Sequence, residues 1–149
     1  MKLVCSACLL GEACRYDGAS KAHARVLEHV QSWLAKGGEV VSLCPEELGE
    51  LGTPRPACEL SGGDGAAFWN GSAHIRQRDT RENRSHPYAR GAEEALKLAE
   101  GATRAVLKAR SPSCGCGETW IDGTLQKGDG VFAARMRALG VPLSTEEDL

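Results

Sequence analysis

Two hydrophobic rhythms alternate along the chain. Residues 2–7, KLVCSA, are apolar and partly β-branched and run into CLLGEACRYDG, which ends in a turn, so a strand followed by a loop is predicted. Val26, Val30, Trp33 and Leu34 then recur at helical spacing, and a helix is predicted from a Ser20 cap to about Lys36, stopped by Gly37-Gly38. EVVSLCPE (39–46) reads as a second strand cut short by Pro45, which has no N–H for a ladder. Residues 47–72 hold many Gly and Pro without sustained period and read as a long irregular connection with one short strand. SAHIRQRD (72–79) reads as a further strand, and Asp79 with Glu82 resembles a capping box, so the next helix is expected to start there and run to about Glu100. Tyr88, Ala92, Leu96 and Ala99 lie on one face of it. RAVLKA (104–109) is a buried strand, ETWIDGTL (118–125) carries an Asp-Gly hairpin signal, DGVFAARMRALG is a last helix with Phe132, Met136 and Leu139 inward, and VPLS a final strand.

Strand and helix alternate without internal repeats. That order predicts an α/β fold: one mostly parallel sheet with helices on both faces, Rossmann-like, in a single domain spanning 1–149. Sites in such sheets lie beyond the carboxyl ends of the strands, where the strand order switches. Cys8 follows the first strand, Cys44 ends the second and Cys114 lies in the loop after RAVLKA, so three cysteines distant in sequence are expected at one sheet edge.

Composition narrows the options. Eighteen basic and twenty acidic residues give a net charge of −2, so no polycationic face for nucleic acid is expected. The N-terminal apolar run is broken too early for a secretory segment, and no stretch is long enough to span a membrane, so a cytoplasmic protein is expected. Against that background seven cysteines are the anomaly: Cys5, Cys8, Cys14, Cys44, Cys58, Cys114 and Cys116. The number is odd and cytosolic disulfides are rare, which leaves metal ligation, a catalytic thiol or plain burial.

For any single cysteine burial is the default, and Cys14 and Cys58 are assigned to it. The trio Cys8, Cys44 and Cys114, each beside Gly or Pro at a strand end, is less easily accidental. Cys5-x-x-Cys8 with Cys114-x-Cys116 could supply four thiolates to zinc, although alternation turns residues 5 and 8 to opposite faces of a strand. An iron–sulfur cluster also takes thiolates, and three of them leave one iron open. Spacing does not choose between these.

VCSACLLGEACRYDG, SLCPEELGELGTPRPACEL, LKARSPSCG and GDGVFAARMRALGV together resemble the bacterial domain family that contains the thiouracil desulfidases, from about Lys2 to Glu147. The resemblance implies a [4Fe-4S] cluster held by Cys8, Cys44 and Cys114, with one iron not bound by protein. It implies a reaction on a small thiolated substrate, 2-thiouracil or a similar heterocycle, in which oxygen from water replaces the thiocarbonyl sulfur and sulfide is released. A thiophilic open iron suits a soft sulfur donor. Cys5, Cys14, Cys58 and Cys116 stand where that family usually has other residues.

Glu46, two residues after Cys44, is the candidate base for water. The resemblance points to Ser111 over Ser113 for proton transfer. Arg15, Asp17 and Arg55 lie in the shared loops as candidates for substrate contact or for offsetting cluster charge. His23, His29, His74 and His86 form no ligand pair and are read as structural or exposed, and Gly128-Asp129-Gly130 as a turn and helix cap. Two other functions fit the cysteines: a non-catalytic relay of sulfur or clusters, and a zinc-stabilised small-molecule-binding domain.

Overall fold

A computed structural model describes residues 1–149. Four strands, β1 (Lys2–Ser6), β2 (Glu39–Leu43), β5 (Arg104–Leu107) and β8 (Leu143–Thr145), form a parallel sheet in the order β2-β1-β5-β8. A second sheet, ordered β4-β3-β6-β7, joins β3 (Cys58–Ser61), β4 (His74–Gln77), β6 (Glu118–Ile121) and β7 (Thr124–Lys127). Its outer pairs are antiparallel and its central pair parallel. The α/β expectation holds, but the short strand of 47–72, SAHIRQRD and the Asp-Gly hairpin assemble a sheet of their own. Asp122 and Gly123 both have positive φ there, as a tight two-residue hairpin requires.

Alternation along β1 divides the core. Leu3, Cys5 and Val106 face helix α1 (Ala24–Ala35) and its Val26, whereas Val4, Ala105 and Leu107 face α4 (Ser85–Leu98), α5 (Val131–Ala138) and the second sheet. Two short helices, α2 (Pro45–Leu48) and α3 (Gly65–Trp69), lie in the stretch read as irregular. Pro45 cuts β2 short as expected and at once supplies the first position of α2, where its missing N–H costs nothing.

Backbone contacts outside the helices moved two helix starts. Residues 21–23 pair with the 3₁₀ turn Ala7–Leu10, Lys21 N–H donating to Cys8 and His23 N–H to Leu9, so α1 begins at Ala24 and Ser20 caps nothing. Leu34 is exposed. Residues 80–84 fold back on β4 through Gln77 N–H to Glu82 and Arg84 N–H to Ile75, and the Asp79 carboxylate takes Gln77 Nε2 and Thr80 N–H, so α4 starts at Ser85. Helix α5 ends at Ala138; Phe132 and Met136 are buried as expected, but Leu139 is 71% exposed.

Candidate functional site

Strand β1 leads to β2 on one side and is flanked by β5 on the other, so the strand order switches between β1 and β5. A cavity of about 490 Å³ opens at the carboxyl ends of these strands, a size typical of small-molecule sites. Cys8, from the 3₁₀ turn after β1, Cys44, the residue after β2, and Cys114, in the loop after β5, all line it.

The RSPSCGCG loop is shaped around Cys114 and the start of α5. Ser111 Oγ accepts from the Cys114 N–H at 2.7 Å, and Thr119 Oγ1 donates to the Ser111 carbonyl. The Pro112 and Ser113 carbonyls take the N–H groups of Val131, Phe132 and Ala133, the unpaired donors of the first turn of α5. Gly130 is obligatory there, since a Cβ would lie 2.6 Å from the Ser113 carbonyl carbon. Arg110 adopts a positive φ of 65° and is held by a two-pronged bond to Glu147.

Glu46 lines the cavity from α2. Its Oε1 accepts from Arg55 Nε at 3.0 Å and from the Tyr88 hydroxyl at 3.1 Å, which leaves Oε2 free. Arg55, its side chain 4% exposed, also donates to the carbonyls of Gly52 and Cys14 and to Thr53 Oγ1. One guanidinium thus ties the loop after β1 and the loop after α2 to the carboxylate. Helix α4 presses on α2 through Gly91, where a Cβ would overlap the Pro45 carbonyl.

Cys14 and Cys58, assigned to plain burial, line the same cavity. The Cys14 thiol hydrogen-bonds with Cys44 and Cys8; the Cys44 bond favours its thiolate, but the Cys8 bond and burial prevail and push it up to about 12. The hydrogen bond to Cys14 and then burial hold the Cys44 thiol far above its ordinary range, and burial does the same to Cys114. Any metal bound here must therefore displace thiol protons. Cys5 is buried in the α1-facing core, and Cys116 lies outside the cavity, so the arrangement of Cys5, Cys8, Cys114 and Cys116 around one zinc does not form. Of the loop charges, Arg15 and Arg55 reach the cavity, while exposed Asp17 pairs with Arg15 and caps Ala19. His23, just before α1, and His29 on α1 do not line the cavity. Tyr88, Lys108 and Trp120 also line the cavity and carried no sequence signal, because each sits in or beside an ordinary helix or strand pattern. Arg78 stacks on the Trp120 ring at 5.2 Å.

The fold and this cysteine-lined crevice define an α/β protein of the 2-thiouracil desulfurase family, whose model matches residues 3–148; the chain belongs to that family. Among its relatives, the uncharacterized protein YbbK of Bacillus subtilis (strain 168) is 34% identical over 152 residues, covering 99% of this chain and 97% of YbbK. The solved structure of TudS, a [4Fe-4S]-dependent thiouracil desulfidase, superposes with a TM-score of 0.81 at 34% identity, covering 99% of this chain and 92% of TudS. No helix is long and apolar enough to cross a membrane.

Proposed function

We propose that this protein is a [4Fe-4S]-dependent desulfidase that converts a small thiolated heterocycle, of the 2-thiouracil kind, to its oxo form and releases sulfide. The observation that carries the reading is the convergence of Cys8, Cys44 and Cys114 from three strand ends on one cavity that also holds Glu46 and Ser111. The donor set fits the cluster: soft sulfur ligands, all free thiols, inside a cavity whose other lining charges are mainly basic and offset the negative charge of three thiolates. Cys8, Cys44 and Cys114 would hold the cluster and so leave one iron without a protein ligand. When bound, the cluster supplies a Lewis-acidic, thiophilic iron for the thiocarbonyl sulfur.

The chain's own residues do the rest. Glu46, its Oε1 fixed by Arg55 and Tyr88, uses Oε2 to take a proton from the water that adds to the thiocarbonyl carbon. Ser111 accepts the Cys114 N–H through its oxygen, so its hydroxyl hydrogen is free to serve the departing sulfur. The oxygen of water ends on carbon and its two protons leave with sulfur. Seven free cysteines suit a reducing compartment, the cytoplasm.

Anaerobically reconstituted protein is expected to be brown, to contain iron and acid-labile sulfide, and to consume the thiocarbonyl absorbance of 2-thiouracil while sulfide accumulates. Cys8→Ala, Cys44→Ala and Cys114→Ala should each lose iron and activity, while Cys58→Ala keeps both. An iron-replete, active Cys44→Ala protein would overturn the ligand set, and colourless protein inert towards thiouracil would overturn the activity.

A further inference from the structure

The sulfurs of Cys14 and Cys44 and a carboxylate oxygen of Glu47 all lie within 4.8 Å of one another. Cys14 belongs to the loop after β1, whereas Cys44 and Glu47 flank the first turn of α2, so the tertiary fold alone brings them together. Cys8 lines the same cavity beside Cys14 but stands outside that 4.8 Å group, so it would join as a third sulfur by rotation of its side chain. We propose that, in protein lacking the cluster, Cys8, Cys14, Cys44 and Glu47 form a tetrahedral site for one soft divalent cation of the zinc type.

The geometry suits a single ion. Zinc sits about 2.3 Å from sulfur, so tetrahedral thiolate ligands stand roughly 3.8 Å apart, within side-chain adjustment of the 4.8 Å that bounds Cys14, Cys44 and Glu47. Thiolate and carboxylate are both zinc ligands. The surroundings already orient the ligands. Thr53 Oγ1 donates to Glu47 Oε2 at 2.7 Å and leaves the other oxygen for a metal. Arg55 Nη2 holds the Cys14 carbonyl at 2.9 Å and so fixes the loop that carries the thiol. On binding, three metal–sulfur bonds form as three thiol protons leave to solvent, with no change of oxidation state. Because the ion takes Cys8 and Cys44, zinc and the cluster exclude one another; that exclusion rests on the ligand set proposed above, whereas the ion site does not.

The test uses full-length protein freed of iron under anaerobic, reducing conditions and titrated with Co²⁺ alone. One equivalent should develop the intense visible bands of tetrahedral cobalt and a near-ultraviolet thiolate charge-transfer band. Cys14→Ser should lose about a third of the charge-transfer intensity, one sulfur in three, and bind more weakly. Glu47→Gln should keep the sulfur band and bind more weakly. Cys116→Ala, whose thiol lies outside the cavity, should match the wild type. Zinc added first should block cluster reconstitution in the wild type, and Cys14→Ser should relieve the block. A Cys14→Ser spectrum equal to wild type, or octahedral cobalt in the wild type, would overturn the site. The two readings fail separately, because the cobalt spectrum of Cys14→Ser judges this one and the iron content of Cys44→Ala judges the other.

Discussion

Replacing Arg55 with methionine removes the one cation that neutralises Glu46 inside the cavity wall. The two side chains are 4% and 12% exposed, so solvent cannot substitute fully for the lost partner. Four hydrogen bonds go with it, to Glu46, Gly52, Thr53 and Cys14. Breaking a buried pair on one side costs about 3–5 kcal/mol, because the remaining charge is stranded. For a chain of this size each kcal/mol moves the melting point by about 2–4 °C, so Arg55→Met should melt roughly 6–20 °C lower. The measurement belongs on iron-free protein, since a bound cluster stabilises the folded state by mass action and would mask the loss. Removing both charges in Arg55→Met/Glu46→Leu should recover much of the stability, with a coupling of about 0.5–3 kcal/mol between the sites, yet stay inactive after reconstitution. A melting point for Arg55→Met within about 2 °C of wild type, or a double variant no better than the sum of its parts, would refute the argument.

Glu46→Gln keeps size and shape but cannot take a proton; reconstituted protein should hold its cluster and lose roughly 10²–10⁴-fold in kcat with KM little changed, by steady-state desulfidation kinetics. Ser111→Ala removes both a hydroxyl donor and the acceptor of the Cys114 N–H, so iron content should fall alongside turnover, which iron and sulfide assays on the same preparation will show. Gly91→Ala drives a methyl into the Pro45 carbonyl and to 2.9 Å from Gly49 N, and should cost about 1–3 kcal/mol in thermal unfolding while displacing the helix that carries Glu46. Lowering the pH should loosen the Arg110–Glu147 clasp. The Arg110 hydrogen bond holds the Glu147 carboxyl below its ordinary value, so its contribution is complete above the usual carboxylate range and is lost as pH falls through the depressed value; comparing acid unfolding of Glu147→Gln with wild type reads it.

The sequence by itself determined which segments become strands and helices and, through them, where the chemistry sits. Alternation in KLVCSA, a continuous apolar run in RAVLKA and the helical spacing around Tyr88 and Ala92 are local signals, because side-chain direction follows directly from backbone period. In parallel strands with crossover helices every loop after a strand emerges at one edge, so the order of elements alone puts Cys8, Cys44 and Cys114 together. What the pattern could not carry was competition between neighbours. The start of α1 moved because residues 21–23 pair with the turn after β1, and that of α4 because residues 80–84 fold back on β4, so the positions where caps were expected are used otherwise. Short strands β3, β4 and the β6–β7 hairpin have no internal signal for which sheet to join; complementary edges decide that. Cys14 looked like any small buried residue, and Tyr88 like any aromatic on a helix face. Only the packing of α4 on α2, through a glycine with no room for a methyl, brings the Tyr88 hydroxyl to Glu46. Likewise only the loop after β1, tied down by Arg55, sets a fourth thiol against Cys44. Such contacts join residues some 30 and 42 positions apart, beyond the reach of any periodicity.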